Sequence, residues 1–278
     1  MELRPVVRTT RGIQTSDGAG VRLRRLMGGG SGLPSIDPFL MLDYFDSPRA
    51  QDYIAGFPPH PHRGFETVTY MLAGRMRHRD NKGGEGVIEP GGIQWMTAGR
   101  GLVHSEMPEQ NEVLMRGFQL WVNLPAKDKM TAPGYQEFPP SRMPVEEREG
   151  GVRVKVITGS TSRGTAGPVT AVATDARYFD VELPAGATFT ESLPAGHSAF
   201  VVVHEGTVDV GGHEVRGVGL AHLGEGGAVQ FRAAGELAKA LVIAGRPLNE
   251  PIAWHGPFVM NTDAELMQAI DDYQAGRF

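Results

Sequence analysis

Short hydrophobic runs separated by turn residues make up most of the chain from Val7 to about Pro125. The segment Val87–Gly99, VIEPGGIQWMTAG, is typical, because two β-forming runs flank a Pro-Gly-Gly turn. A second series of the same kind runs from Val152 to about Gly245. Many short strands joined by tight turns are typical of antiparallel sheets, so the pattern predicts an all-β chain.

A proline-rich and charged segment separates the two β-rich series. Pro139, Pro140 and Pro144 precede the run EEREG, which ends at Gly150, and such a composition is typical of a connection between domains. The 278 residues are enough for two domains of ordinary size. We therefore expect an N-terminal domain over residues 1–138 and a C-terminal domain over residues 139–278.

The two β-rich series also share a weak internal similarity. VTYMLAG ending at Gly74 resembles VVVHEG ending at Gly206, and IQWMTAG ending at Gly99 resembles VQFRAAG ending at Gly235. Because the two matches occur in the same order along the chain, they indicate a duplicated β-barrel.

The C-terminal residues follow a helical pattern instead. In TDAELMQAIDDYQAG, Thr262 and Glu265 form a capping box, and Leu266, Ile270 and Tyr273 recur at helical spacing. We expect an amphipathic helix that packs on a barrel and belongs to the C-terminal domain.

Charge and composition exclude several functional classes. A formal charge of -5 offers no electrostatic reason to bind a phosphate backbone, so we expect no direct nucleic-acid binding. Because the chain has no cysteine, disulfides, zinc-thiolate sites and thiol nucleophiles are excluded, and any metal must bind nitrogen and oxygen. The N-terminus lacks an apolar signal region, and no stretch approaches the roughly 18 apolar residues of a membrane span. The predicted location is the cytoplasm, with no membrane association.

Two short segments carry pairs of metal-ligand residues. HPHRGFET offers His60 and His62, and GLVHSEMPE offers His104 and Glu106. Side chains two residues apart on a strand point to one face, with Cα atoms about 6.6 Å apart, so each pair can reach one ion. Because at least one predicted hairpin separates the pairs, they can lie on facing strands of one barrel. The prolines around the first pair predict a position at the rim or on a sheet edge.

Other interpretations of these residues remain open. A single histidine is most often a hydrogen-bonded, partly exposed side chain, and Glu106 alone would be a solvated carboxylate. Glu66 would share a face with His62 on a regular strand, and is either a ligand or a partner of the ligands. The remaining histidines lack partners at ligand spacing and are predicted to have structural or surface roles: His78, His197, His204, His213, His222 and His255.

The same residues resemble the pirin family of the cupin superfamily. The similarity spans almost the whole chain, is dense in the first half and is sparse from about Gly150 to Gly245. It implies two tandem cupin barrels of the jelly-roll type, with one metal in the N-terminal barrel. The motifs that carry it are DGAGVRLRRLMG from Asp17, DPFLMLDYF from Asp37, HPHRGFET from His60, MTAGRGLVHSEMP from Met96, QLWVNLP from Gln119 and GPFVMNT from Gly256.

The resemblance also implies the ligands. Carried over by position, they fall on His60, His62, His104 and Glu106, the set already reached from spacing, and Glu66 becomes an outer partner. Iron(II) is the usual metal in pirins, although nickel, manganese, cobalt or copper also fits this donor set. No second metal is expected, because a rough alignment places residues that cannot replace imidazole or carboxylate opposite the four ligands, namely Ser192, Pro194, Ala240 and Val242.

Some pirins are described as quercetin 2,3-dioxygenases, which open a flavonol ring with O2 and release carbon monoxide. The leading hypothesis is an enzyme of this type acting on a small aromatic substrate, with Glu106 or Glu66 as proton acceptor. The alternative is an iron-binding, redox-sensing regulatory protein that acts through a protein partner. A third hypothesis is a cupin that has lost its activity and holds a purely structural ion. Phe45, Met41 and Gln119 are pocket candidates that core packing explains better. A monomer would suffice in any of these cases.

Overall fold

The structure, a computed structural model, describes residues 2–29, 33–109 and 114–278. Contacts within the chain divide it into two compact units, each built around one β-barrel. We call the first barrel the unit formed by Ile13–Ser35, Phe39–Pro140 and Leu248–Phe278. The second barrel is formed by the residues up to Gly12, by residues 36–38 and by Ser141–Pro247.

Strands make up most of both units, and an α-helix lies near the C-terminus. Short 3-10 turns lie at Ala50–Asp52, Ala126–Asp128, Pro140–Arg142 and Glu149–Gly151. In chain order the elements are β1 (Val6–Thr10), β2 (Ile13–Asp17), β3 (Val21–Gly28), β4 (Phe39–Ser47), β5 (Phe57–His62), β6 (Phe65–Ala73), β7 (Met76–Asp80), β8 (Glu85–Ile88), β9 (Ile93–Thr97), β10 (Leu102–Pro108), β11 (Met115–Asn123), β12 (Gly134–Phe138), β13 (Val145–Glu147), β14 (Arg153–Thr158), β15 (Arg177–Leu183), β16 (Thr188–Ser192), β17 (Ser198–Glu205), β18 (Thr207–Val210), β19 (His213–Arg216), β20 (Gly219–Leu223), β21 (Ala228–Ala233), β22 (Ala238–Gly245), β23 (Ala253–His255), β24 (Phe258–Met260) and α1 (Asp263–Gln274).

The first barrel consists of two antiparallel sheets. The larger has the strand order β12-β9-β6-β11-β4-β3-β2, and the smaller has the order β5-β10-β7-β8. The β23–β24 hairpin and α1 complete this unit. The smaller sheet carries both predicted ligand pairs, because β5 ends at His62 and β10 contains His104 and Glu106.

The second barrel repeats the same arrangement. Its larger sheet has the order β1-β20-β17-β22-β15-β14-β13, and its smaller sheet has the order β16-β21-β18-β19. Strand by strand, β16 takes the place of β5, β21 that of β10 and β22 that of β11. The predicted all-β pair of cupin-like barrels is therefore confirmed.

Both ends of the chain depart from the predicted domain boundaries. β1 belongs to the second barrel, because it pairs with β20 and places Val6 opposite Leu223. The segment Leu248–Phe278 belongs to the first barrel, because its apolar side chains form a buried cluster with Val103 of β10. Away from the two ends, the change of unit at residues 140–141 lies close to the predicted position.

Helix α1 forms where the capping box predicts it. The Thr262 hydroxyl accepts a hydrogen bond from the Glu265 backbone N–H, and the Glu265 carboxylate accepts one from the Thr262 backbone N–H. Its buried residue, Ala269, packs with Phe258 and Phe278 in the first barrel, and not in a C-terminal domain as expected. Among the residues that the structure describes, no helix has both the length and the apolar character needed to cross a bilayer.

Candidate metal centre

Strand β5 brings His60 and His62 to the edge of the smaller sheet. Its sequence, FPPHPH, contains three prolines, which cannot donate to a β-ladder and so favour an edge strand. The sheet order places β5 at the edge, beside β10, as the prolines predict. The chain turns after His62 at Gly64, whose φ is 87°. Any other residue here would place its Cβ atom 1.9 Å from the Val259 carbonyl oxygen, so the turn requires glycine.

Strand β10 brings the second pair beside the first. His104 lies directly opposite His60 in the β5–β10 ladder. The register then shifts, so that Glu106 lies opposite Phe57. An irregular ladder of this kind changes the direction of the side chains that follow it.

Three imidazoles converge as a result. One ring nitrogen from each of His60, His62 and His104 lies within 4.8 Å of the other two. The ring centroids are 4.5 Å apart for His60 and His104, 4.7 Å for His60 and His62, and 5.1 Å for His62 and His104. His62 and His104 are buried, and His60 is partly exposed.

Burial favours the neutral form, which a metal ligand needs, in two of the three imidazoles. Burial holds the pKa of His62 well below its usual value, and the neighbouring imidazoles lower it further. Burial also lowers the pKa of His104 to about 4. The Nδ1 atom of His60 lies 2.8 Å from the Pro58 carbonyl oxygen, which can only accept, so Nδ1 donates to it and Nε2 is the ring nitrogen left for a metal ion.

Glu106 lies outside this three-nitrogen group but is fixed near it. Its side chain is 1% exposed. The Thr69 hydroxyl donates to its Oε1 atom at 2.9 Å, and the Gln119 amide donates to its Oε2 atom at 2.8 Å. Each carboxylate oxygen thus has one hydrogen-bond donor, and the two donors together fix the orientation of the carboxylate.

Glu66 does not contact the predicted ligands, although the resemblance to pirins implied that it would be their hydrogen-bond partner. The turn at Gly64 separates β5 from β6, so the regular-strand spacing from His62 does not apply. On β6, Glu66 and Thr69 are three residues apart and point to opposite faces, and Thr69 is the one that contacts Glu106. The Glu66 carboxylate instead accepts from the Thr97 hydroxyl at 2.7 Å. Burial raises its pKa to about 7.

The residues fit a divalent metal ion. Both ring nitrogens of the buried His104 have no hydrogen-bond partner among the described residues, which is costly unless something else binds them. Three imidazoles with an adjacent carboxylate are a donor set that first-row divalent ions accept. The site could therefore hold such an ion, although this donor set does not select one metal.

A cavity of about 820 Å³ opens onto the histidine cluster. His60 and His62 form part of its wall, together with Gln119. Most of the remaining wall is apolar or aromatic, and its largest side chains are Trp121 and Trp254. A concave, mostly apolar site with a few polar groups is typical of small-molecule binding.

Sequence reasoning identified only part of this wall. Gln119 and Met41 line the cavity, whereas Phe45 packs in a buried core cluster. The sequence analysis did not identify Thr69. Thr69 is the ladder partner of Gln119 on the neighbouring strand, and no sequence pattern reveals that pairing. Trp254 comes from the distant C-terminal segment and had no signal at all.

The described residues of the second barrel contain no equivalent cluster. The rough alignment placed Ala240 and Val242 opposite His104 and Glu106, but both residues lie on β22, which takes the place of β11. The strand in the place of β10 is β21, whose core-facing residues include Val229 and Phe231. Within the described residues, the three histidines of the first barrel form the one group of possible metal ligands.

Known proteins share this architecture and sequence. A family model described as Pirin matches residues 20–122, and one described as Pirin C-terminal cupin domain matches residues 178–278. A pirin-like protein from Caulobacter vibrioides is 59% identical over 100% of both chains. Mouse pirin is 42% identical over 94% of this chain and 89% of its own. A crystal structure of quercetin 2,3-dioxygenase from Acinetobacter baumannii has a TM-score of 0.90 and 37% identity, covering 99% of this chain and 98% of that one.

Proposed function

This chain belongs to the pirin family, and from that premise we propose that it is a metal-dependent dioxygenase that cleaves quercetin or a related small aromatic compound with O2. The observation that carries the proposal is the cluster of three histidines, two of which form part of the wall of a mostly apolar cavity. The similarity to a structure of quercetin 2,3-dioxygenase supports the same reaction class.

The four residues His60, His62, His104 and Glu106 are the ligands we propose. The histidines supply three nitrogen donors, and Glu106 supplies the one carboxylate fixed beside them. Iron(II) is the metal we propose, and nickel, manganese, cobalt and copper are the others to test. When bound, such an ion supplies a Lewis acid that lowers the pKa of a coordinated hydroxyl group.

Glu106 is also the residue we propose to accept the proton of the flavonol hydroxyl. A general base must be held within hydrogen-bond reach of the proton that it removes. Thr69 and Gln119 hold the two carboxylate oxygens, and Gln119 itself lines the cavity. The carboxylate is therefore oriented before a substrate arrives, which reduces the cost of reaching the reactive geometry.

The cavity wall supplies orientation and excludes water. The Trp121 ring contacts His62, with ring centroids 5.2 Å apart, and packs on the buried Phe65 at 4.3 Å. A planar substrate held against this wall would displace solvent from the histidine cluster. Exclusion of water strengthens the electrostatic interactions inside the site.

The test is to load the protein anaerobically with each metal in turn, add quercetin and oxygenated buffer, and measure carbon monoxide. We expect at least one metal to give one carbon monoxide per O2 consumed. No carbon monoxide with any of the five metals would overturn the proposal.

A matched pair of variants ties activity to the proposed site. His104→Ala removes one of the three clustered imidazoles, whereas His213→Ala removes an exposed imidazole from the second barrel. We expect the first variant to be inactive and the second to match the unaltered protein. Equal activity in both variants would place the reaction elsewhere.

A further inference from the structure

The cavity wall includes a residue from the far end of the chain. Trp254 lies on β23, which pairs with β24, and it stands opposite Val259 in that hairpin. Its side chain lines the cavity together with Gly256 and Pro257. The C-terminal segment is therefore part of the site and not only a cover for the barrel.

The hairpin that carries Trp254 is firmly attached beside a proposed ligand. The backbone N–H of Val259 donates to the Arg63 carbonyl at 3.1 Å, and the N–H of Arg63 donates to the Pro257 carbonyl at 3.3 Å. The buried ammonium of Lys129 donates to the carbonyls of Gly64 and Val259, at 2.8 and 2.9 Å. These bonds fix the hairpin to the residues that directly follow His62.

The orientation of the Trp254 ring is fixed as well. Its indole N–H donates to the Gly256 carbonyl at 2.9 Å, so it is already paired and offers its aromatic surface to the cavity. The side chain packs in a cluster with the buried residues Leu40, Phe65 and Val259. A fixed aromatic ring loses little conformational entropy when a ligand binds to it.

Trp254 lies one ring further from the metal ligands than Trp121. The centroids of His62 and Trp121 are 5.2 Å apart, and those of Trp121 and Trp254 are 6.0 Å apart with an angle of 34° between the planes. The aromatic wall therefore extends outward from the metal ligand by two rings. Trp254 therefore contacts the ring that contacts His62, and is placed to bind a part of the substrate other than the group held at the histidines.

The guanidinium and the carboxylate of this wall already have ion-pair partners. The guanidinium of Arg25 forms ion pairs with Asp17 at 2.8 Å and with Asp43 at 2.7 Å. Among the described residues that line the cavity, Asp17 carries the carboxylate and Arg25 the guanidinium. An uncharged aromatic group fits this cavity better than a carboxylate or a phosphate, because it leaves these pairs intact.

We propose that Trp254 is a specificity-determining residue that binds the aryl ring of the substrate distal to the metal. The inference rests on the proposed function, since it assumes that the other end of the substrate binds at the histidine cluster. It adds that the enzyme selects substrates with a second aromatic ring over those with a single bicyclic core.

The test compares two probes that differ only in the distal ring, 3-hydroxyflavone and 3-hydroxychromone. Their dissociation constants are measured anaerobically on nickel-loaded protein by isothermal titration calorimetry, without turnover. We expect Trp254→Ala to weaken 3-hydroxyflavone binding about tenfold, the range of an aromatic contact plus its buried area. Binding of 3-hydroxychromone should change less than about twofold, and Trp254→Phe should restore most of the loss.

Controls separate a local loss from a general one. Met267→Ala, an exposed substitution on α1 of the same segment, should leave both constants unchanged, and metal content should equal that of the unaltered protein in every variant. If Trp254→Ala weakens the binding of both probes equally, or of neither, the proposed role of Trp254 is wrong, and the proposed function is not affected. Failure of both probes to bind the unaltered protein would overturn the proposed function together with this inference.

Discussion

The two barrels share one strand order and differ in the side chains that face their interiors. In the first barrel, β5 and β10 present His60, His62 and His104 to one another. In the second, the corresponding strands β16 and β21 present Phe189 and Phe231, whose ring centroids are 5.1 Å apart. The capacity to bind a metal therefore resides in a few inward side chains and not in the fold itself.

The turn at the same place in the two barrels also differs. In the first barrel, the last residue of β2, Asp17, and the small residue Gly18 in the turn that follows belong to the cavity wall. In the second, the turn after β13 contributes Arg148, whose buried guanidinium pairs with Glu191 and lies 4.9 Å from the centre of the Phe189 ring. One barrel keeps an opening where the other has a paired, buried cation.

The strongest test of this contrast is the loss of metal. His62→Ala should lower metal affinity more than about 100-fold, beyond the range for residues that only support a ligand, because a donor atom is removed. His204→Ala, which removes a buried histidine from the second barrel, should leave about one metal per chain. Elemental analysis after dialysis checks both, and full metal content in His62→Ala would break the contrast.

The apolar interior of the second barrel gives the next largest effect. Phe231→Ala should lower the free energy of unfolding by about 3–5 kcal/mol, because the side chain is 1% exposed and fills the core. Phe57→Ala should cost roughly half as much, since Phe57 already borders a cavity in the first barrel. Urea denaturation monitored by circular dichroism measures both, and equal losses would show that the two interiors are packed alike.

A smaller effect comes from the buried carboxylates. The pKa of Glu66 is raised to about 7, so the folded state favours the protonated carboxyl group. Its contribution to the free energy of unfolding is fully present below about pH 4.5 and is lost as the pH rises through 7. Glu66→Gln should therefore be more stable than the unaltered protein above pH 7, by at most about 3 kcal/mol. Glu191→Gln should be less stable across the same range, because Glu191 pairs with Arg148. Urea titrations at pH 4.5 and 8 distinguish these outcomes, and a Glu66→Gln stability that tracks the unaltered protein would contradict the first.

Much of the fold could be predicted because its signals are local. Strand runs, turn glycines and the Thr262–Glu265 capping box depend on neighbouring residues, and they gave the β-rich series and the C-terminal helix correctly. The pairing of β1 with β20 depends on residues more than 200 positions apart in sequence. No local pattern encodes such a contact, so the two chain ends were placed in the wrong units.

The same distinction applies to the candidate site. The i, i+2 spacing on β5 and β10 was enough to select three histidines that do lie together. The spacing argument failed for Glu66, because Gly64 ends the strand between it and His62. Partners such as Thr69 and Gln119 lie on other strands, and only the ladder register brings them to Glu106.

The exchange of chain ends has a consequence for biosynthesis. The ribosome completes the first 140 residues well before it makes Leu248–Phe278, so the first barrel must wait for its β23–β24 hairpin until the whole second barrel has emerged. Until then, Arg63 and Lys129 lack the hydrogen bonds that they form with the backbone of Pro257 and Val259. The nascent chain would thus acquire its complete cavity wall only after the second barrel has been synthesised.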